Sequence, residues 1–242
     1  MPDPAALFPR FSRLTRADLL VEQHLHTTWT DGHAAPEACL ERARELGLSR
    51  VLFTDHVRAA SDYCPRYLDE MGRLARKEET LRVLAGFEAK ATDLRGGLDI
   101  PPAALERADA VIVSVHSIPL PGGGLAPPSS LDAPTLARAE RDLAVAAAEA
   151  GRATLLGHAG GMSLAYHGQF PLAFLEDIVR ACAAHGFPME VNSRYHRPLL
   201  RPLLELMSRF DPPVSIGSDS HHIDTLGECS RLLARELFGE EA

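Results

Sequence analysis

The sequence predicts an α/β fold built around a parallel β-sheet. Short apolar runs alternate seven times with longer helical patterns, and the runs lack the strict polar alternation of a sheet with one face in water. Strands that alternate with helices pair in parallel, and such a sheet is either closed into a barrel or left open. Because the 242 residues contain no low-complexity linker, we expect one domain over residues 1–242.

The individual elements are predicted from apolar runs and from the residues that end helices. The seven runs rich in Val, Leu, Ile and Phe predict strands at residues 20–26, 50–54, 82–88, 109–115, 153–158, 188–192 and 213–218. Proline near the first turn and glycine or proline after the last predict helices at residues 36–46, 134–150, 171–185 and 198–210. The Pro- and Gly-rich residues 117–134 predict a long surface loop, which is either a solvated connection or a lid over a site.

The composition excludes several classes of protein. A hydrophobic share of 45% is ordinary for a globular protein, and no apolar run approaches the roughly 20 residues that span a bilayer. The first 20 residues are charged and contain no apolar signal-peptide core, so we expect a cytoplasmic protein without a membrane partner. The net charge of -8 argues against a protein that coats nucleic acid. The cysteines form no C-x-x-C pair, which predicts free thiols in a reducing compartment. The oligomeric state stays open.

Side chains that bind metals stand at the carboxyl end of every predicted strand. In a parallel barrel these ends meet at one face, where active sites form. In chain order they are His24 and His26, Asp55 and His56, Glu88, His116, His158, Glu190 and Asn192, and Asp219 and His221. A lone histidine at a strand end is usually only a polar residue. Histidines and carboxylates at seven successive strand ends predict a shared site for zinc, manganese or iron.

The same positions resemble the successive motifs of a known family. The segments His24-Leu25-His26-Thr27, Thr54-Asp55-His56, Gly86-Phe87-Glu88, Ser114-Val115-His116-Ser117, Gly157-His158 and Gly217-Ser218-Asp219-Ser220-His221 are similar, in this order, to those of the PHP family, named for polymerases and histidinol phosphatases. The similarity runs from about residue 20 to residue 225. It implies a distorted (β/α)7 TIM-like barrel.

The resemblance also implies a site for three divalent ions (Mn, Zn or Fe). The implied ligands are His24, His26, Glu88 and Asp219 for one ion, Glu88, His116 and His158 for a second, and His56, His221 and Asp31 for a third. Asp31 has an alternative interpretation as a helix cap or turn residue before Pro36. Gln23 stands where many family members carry Asp, so we expect a carboxylate behind the first two ligands to be missing.

Four cations that follow strand ends are candidates for phosphate binding: Arg58, Lys90, Arg194 and Arg197. Arginine suits bidentate phosphate contacts, although each of the four has the alternative interpretation of a plain surface cation. Arg58 and Arg194 are the best placed. Together with Glu88 and Asp219 they form the predicted catalytic set.

The predicted function is hydrolysis of a small-molecule phosphate monoester by a hydroxide that bridges metals. The partner is then a small phosphorylated substrate, as for family members that act on histidinol phosphate and similar esters. The alternatives are a phosphodiesterase or exonuclease acting on nucleotides, a non-catalytic metal-binding accessory module, and hydrolysis of a substrate without phosphate. The acidic composition argues against nucleic acid, and the full set of ligands argues against an inactive module.

Overall fold

Parallel strands lie side by side in chain order around a common axis. The computed structural model describes residues 7–120 and 124–239 of the chain. The strands in these ranges are β1 (Val21–Leu25), β2 (Arg50–Phe53), β3 (His56–Val57), β4 (Arg82–Lys90), β5 (Ala110–Ser114), β6 (Ile118–Pro119), β7 (Leu125–Ala126), β8 (Leu155–Leu156), β9 (Met189–Asn192) and β10 (Val214–Gly217). The sheet order is β1-β2-β4-β5-β8-β9-β10, and the short β3 pairs with β4.

Helices cover the outside of this sheet. They are α1 (Pro36–Glu45), α2 (Cys64–Lys77), α3 (Pro102–Arg107), α4 (Ala133–Ala150), α5 (Gly161–His167), α6 (Leu172–His185), α7 (Leu200–Phe210) and α8 (Glu228–Phe238). In the described part of the chain, none of them combines the length and the apolar character that crossing a bilayer requires.

The strands are buried on both faces, which explains their continuous apolar sequences. One set of side chains packs outward against the helices in two large clusters. The alternate set, Leu52, Leu84, Ala110, Ile112 and Leu155, forms a separate inner cluster together with Leu7 and Phe8 from the segment before β1. This inner cluster fills the barrel and leaves the carboxyl ends of the strands for polar side chains.

The two edge strands, β1 and β10, are joined largely by side chains. Gln23 Oε1 accepts a hydrogen bond from the backbone N–H of Ile216 at 2.9 Å, and Glu22 Oε1 accepts one from Ser218 N–H at 2.8 Å. Nearer the carboxyl ends, Leu25 of β1 and Ser220, which follows β10, form a single parallel bridge. The sheet is thereby nearly closed, which confirms the predicted distorted TIM-like barrel.

A bulge in β1 sets the direction of the side chains near the site. Glu22 is aligned with Val51 of β2 but Leu25 with Phe53, so β1 contains one extra residue. The usual alternation is therefore interrupted. Glu22 faces α8, whereas His24 faces the barrel interior.

All seven predicted barrel strands are present, although β8 is shorter than residues 153–158. The helix predicted at residues 198–210 begins with a 3-10 turn at Arg197–Leu199 and continues as α7. The residues predicted as a long surface loop, 117–134, also contain short strands in their described part. Strands β6 and β7 pair as a hairpin there, because Ile118 and Ala126 are opposite each other and both buried. Residues 121–123 lie outside the described residues, and the lid stays a prediction.

Candidate metal centre

Histidines from several strand ends surround the carboxylate of Glu88, which is only 2% exposed at the end of β4. Its Oε1 lies 2.9 Å from His158 Nε2 and 3.3 Å from His116 Nε2. Its Oε2 lies 2.8 Å from His56 Nδ1. The two oxygens of one carboxylate therefore face two different groups of imidazoles.

A second carboxylate faces the two histidines that follow each other on β1. Asp219 Oδ1 lies 3.2 Å from His26 Nε2 and 3.5 Å from His24 Nε2. All three side chains are buried. Asp219 has a φ of 50°, a backbone region that L-residues rarely adopt and that is often found at functional sites.

Asp31 lies on the open side of the cluster, with its side chain 53% exposed. Its Oδ2 is 3.2 Å from His56 Nε2 and 3.4 Å from His221 Nε2. Asp31 is not a helix cap, because Ala35 occupies the N-cap of α1 and no side chain caps that helix. It is a turn residue, as the other alternative had it, and from this turn it faces the two histidines.

The loop that carries Asp31 is held in place by Asp55. This carboxylate accepts hydrogen bonds from Thr27 N–H and Thr27 Oγ1, both at 2.9 Å, and from Thr30 Oγ1 at 2.7 Å. At Gly32 a Cβ would lie 2.2 Å from the backbone oxygen of His26, so the loop passes too close for any side chain there. Asp55 thus supports the loop, whereas Asp31 is the carboxylate that faces the imidazoles.

The structure brings the nine predicted ligands together. Their donor atoms form four overlapping groups, each within 4.8 Å: His26, Asp31, His56 and His221; His24, His26 and Asp219; His24, Glu88 and His158; and His56, Glu88 and His116.

Several of these donor atoms are orphaned. The side-chain atoms His24 Nε2 and His26 Nε2 are buried and make no hydrogen bond among the described residues. Glu88 Oε2 makes none either, although His56 Nδ1 lies 2.8 Å away. Buried polar atoms without a partner are costly and rare in folded proteins. Imidazole nitrogens and carboxylate oxygens in this spacing are the ligands of divalent transition metals, so the residues fit a metal centre.

The charges in the cluster keep its carboxylates ionised but act on the histidines in opposite directions. Burial acts to lower the pKa of His24, His56 and His158, yet nearby carboxylates raise it above the usual value, so metal binding would displace protons from these rings. Burial acts to raise the pKa of Glu88, but His116 and His24 hold that pKa well below its usual range. Burial also opposes ionisation of Asp219, whose pKa is nevertheless lowered by His24 and His26. Burial lowers the pKa of His116 to about 4. At neutral pH both carboxylates are therefore ionised and His116 is a neutral imidazole.

Two buried carboxylates behind the cluster were missed as supports. Glu190 Oε1 lies 2.8 Å from His24 Nδ1, and its Oε2 accepts a hydrogen bond from His158 N–H at 2.7 Å. A carboxylate on the far nitrogen of a ligating histidine fixes the orientation of the ring. At Gly217 a Cβ would lie 2.1 Å from Glu190 Oε1, so only glycine leaves room for this contact. The strand-end position of Glu190 was visible in the sequence, but it could not distinguish a support from a ligand.

The second of these carboxylates is Glu22. Its Oε2 accepts a hydrogen bond from Gly227 N–H at 2.9 Å, and its Oε1 accepts from Ser218 N–H. Position 23 itself has an amide, as expected, and the buried carboxylate of Glu22 contacts backbone N–H groups instead of a ligand ring. The side chain of Gln23 joins β1 to β10, and Glu22 and Glu190 provide buried carboxylates on either side of it.

Of the four predicted phosphate-binding cations, Arg194 is in contact with the cluster. Its Nη1 lies 2.9 Å from His221 Nδ1 and 3.2 Å from Asp219 Oδ2. The other three are placed differently: Arg197 pairs with Glu228, Lys90 is half-buried at the end of β4, and Arg58 is exposed and lacks any contact with the cluster among the described residues.

A cleft of about 420 Å³ opens beside the metal ligands. The side chains around it are all polar or charged: His33, Ser193, Arg194, Arg197, Ser218, Asp219, His221, His222, Thr225 and Glu228. The cluster is thus accessible from one side, through a hydrophilic opening.

The position of Glu88 predicts that Glu88→Gln reduces metal binding more than any change outside the cluster. Replacing this carboxylate removes the negative charge that the imidazoles surround. We expect divalent-metal affinity to fall by more than the roughly 10–100-fold found when only a residue that hydrogen-bonds to a metal ligand is changed. Elemental analysis after dialysis against manganese or zinc measures the effect. Glu228→Gln, at the cleft but outside the cluster, is the control, and equal metal content in the two variants would contradict the assignment.

Comparison with known proteins agrees with the family resemblance of the sequence motifs. Residues 22–194 match the family model described as PHP domain, a range with seven of the nine predicted ligands. A protein named "Probable phosphatase" from Caldicellulosiruptor saccharolyticus is 28% identical over 233 residues, which is 92% of this chain and 87% of the relative. One of the same name from Caldicellulosiruptor bescii is 30% identical over 223 residues, with 87% and 83% covered.

Among solved structures, histidinol phosphate phosphatase from Lactococcus lactis, complexed with zinc, L-histidinol and phosphate, has a TM-score of 0.67 at 18% identity. The similarity covers 89% of this chain and 92% of that one, and it supports the barrel fold. With the family model matching most of the chain, and with the strand-end histidines and carboxylates gathered at one face, the chain belongs to the PHP family.

Proposed function

We propose that this chain is a metal-dependent phosphoesterase that hydrolyses a small phosphate monoester. The observation that carries the proposal is Arg194, whose guanidinium contacts Asp219 and His221 at the edge of the ligand cluster. A cation in this position can bind an anion that also touches the metals. Structural metal sites are closed, whereas this cluster opens into a polar cleft. The relatives named as phosphatases support the same reaction.

Three divalent ions are part of the proposal. Glu88 has one oxygen facing His158 and His116 and the other facing His56, so it can be shared between ions. Asp219 faces the two β1 histidines, and Asp31 forms a third group with His56 and His221. Zinc is present in the Lactococcus structure. Manganese and iron are equally compatible with nitrogen and oxygen ligands.

When bound, the metals would supply Lewis-acid chemistry and make water acidic enough to attack near neutral pH. The residues of the chain then have separate tasks. Glu88 and Asp219 hold the centre as ionised carboxylates, Glu190 fixes the ring of His24, and Arg194 binds phosphoryl oxygens from the cleft side. Positioning and charge stabilisation of this kind account for most of phosphoryl-transfer catalysis.

The described side chains offer no good protein nucleophile. All four cysteines are free and buried, and burial raises the pKa of both Cys39 and Cys182 to about 12. The strand-end histidines face carboxylates. We therefore propose direct attack by water.

The free thiols also support the proposed cytoplasmic location.

The size and lining of the cleft favour a small hydrophilic substrate. A volume of about 420 Å³ is in the range of small-molecule sites. The absence of apolar side chains among those around the cleft suits a leaving group rich in hydroxyl or charged groups. The net charge of -8 is unfavourable for an exonuclease that tracks a nucleic-acid backbone.

We expect the protein loaded with manganese or zinc to hydrolyse at least one small phosphomonoester faster than any diester. The test is a panel of monoesters that includes histidinol phosphate, with bis(p-nitrophenyl) phosphate as the diester. Chelation should abolish the activity and added metal should restore it. Preferential cleavage of the diester would instead favour the phosphodiesterase alternative.

Arg194→Ala should lower kcat/KM by roughly 10- to 100-fold, because a charge-assisted hydrogen bond contributes about 1.5–3 kcal/mol. The metal content should stay at the wild-type level. Arg201→Ala removes an exposed arginine that pairs with Glu236 and is the matched control. Arg58→Ala tests the second predicted cation in the same assay. Full activity of Arg194→Ala on every substrate found would show that another group binds the phosphate.

A further inference from the structure

A buried amide at the end of β9 has a donor without a partner. Asn192 is 0% exposed. Its Oδ1 accepts hydrogen bonds from Arg194 N–H at 2.9 Å and from Tyr195 N–H at 3.2 Å. These two donors identify which end of the amide is the oxygen. The other end, Nδ2, is buried and unpaired among the described residues, an unusual state for a buried donor that calls for a physical reason.

The alternation of β9 places this amide on the inside of the barrel. Met189 and Val191 pack in the outer apolar layer. Glu190 faces inward, where it contacts His24. Side chains two residues apart on a strand lie on the same face, so Asn192 also faces inward. It lies two residues nearer than Glu190 to the carboxyl end, directly before Ser193 and Arg194, which line the cleft.

Residues of the cluster lie on both sides of Asn192. In the sheet it is paired with Gly217, two residues before Asp219. The turn that its Oδ1 closes carries Arg194, which contacts Asp219, and Tyr195, whose ring centroid is 4.9 Å from that of His158.

The amide is also held rigidly. The backbone N–H of Asn192 donates to His196 Nδ1 at 3.1 Å, and His196 Nε2 lies 3.1 Å from the backbone oxygen of Ala159. The backbone oxygen of Asn192 accepts a hydrogen bond from His196 N–H at 3.0 Å. The donor is therefore fixed before any ligand binds, which is the property that makes a hydrogen bond effective in a transition state.

We propose that Asn192 is a further catalytic residue, whose Nδ2 donates a hydrogen bond to a phosphoryl oxygen of the substrate while its Oδ1 positions Arg194. The inference rests on the proposed phosphoesterase function. A neutral donor beside the arginine would stabilise the charge that develops on the phosphoryl oxygens. Loss of one such donor in other hydrolases costs about 10²–10³-fold in turnover.

The difficulty for a test is that Asn192→Ala removes two things at once, the donor and the support of Arg194. A double-mutant cycle with Arg194→Ala separates them. The readouts are the affinity of the manganese-loaded protein for inorganic phosphate, measured by calorimetry, and kcat on the substrate found in the panel. Metal content and thermal unfolding are measured for each variant.

We expect Asn192→Ala to weaken phosphate binding at least about 10-fold in the wild-type background and again in the Arg194→Ala background. No further loss in the second background would mean that Asn192 acts only through Arg194, and it would overturn the proposed donor. Gln169→Ala, which removes an exposed amide, is the control and should bind phosphate like the wild type.

If Asn192→Ala does not fold, Asn192→Asp replaces it, because a carboxylate can still accept the Arg194 and Tyr195 N–H groups. We expect Asn192→Asp to keep its metals and lose phosphate affinity; unchanged affinity would overturn the proposal. A wild-type protein that binds phosphate but hydrolyses no ester would refute the proposed function and leave the hydrogen bond to be judged on affinity alone. A wild-type protein that binds no phosphate would overturn both.

Discussion

The site depends on one buried carboxylate, Glu88, placed where the strand ends meet. Taking an ionised carboxylate out of water costs on the order of several kcal/mol even after relaxation, unless positive charge and hydrogen bonds offset it. Of the rings that face Glu88, His116 is neutral at physiological pH because burial lowers its pKa to about 4, whereas the carboxylates raise the pKa of His56 and His158 against the effect of burial. Divalent cations would offset the remaining negative charge and satisfy the orphaned nitrogen and oxygen atoms together.

The barrel is arranged in layers that serve this constraint. An apolar cluster that includes Leu52 and Ile112 fills the interior away from the site. Above it, Gln23 and Glu190 use their side chains to close the sheet and to orient His24. The helix that follows His158 is also anchored, since buried Glu140 accepts hydrogen bonds from the first turn of α5. Each layer limits how the ligands above it can move, so the rigidity of the site comes from buried polar contacts as well as from packing.

Much of this was predictable from the sequence, for physical reasons that differ between fold and site. A strand covered on both faces has a continuous apolar sequence, so the barrel strands were visible as apolar runs. The ligands were predictable because parallel strands bring their carboxyl ends to one face. The loop contacts were not, because Asp31 and Asp55 have the same chemistry, and only tertiary hydrogen bonds from Thr27 and Thr30 assign Asp55 to the loop.

The cations show the same limit. Arg58 and Arg194 each follow a strand-end residue by two positions, yet only Arg194 contacts the cluster. The difference comes from the turns that follow. The side chain of Asn192 closes the turn at Arg194. The backbone N–H of Arg58 instead donates a hydrogen bond to Ser61 Oγ, in a turn that leaves the guanidinium exposed. Sequence spacing does not encode the direction of a turn. The phosphate-binding residues were therefore less predictable than the metal ligands.

We expect divalent metals to bind around Glu88. The most direct measurement is anomalous diffraction from crystals of the zinc- or manganese-loaded protein, recorded on both sides of the absorption edge of the metal. We expect three peaks at the carboxyl ends of the strands, two of them sharing Glu88 and one beside Asp31. A single peak, or peaks that lie away from Glu88, would contradict this expectation.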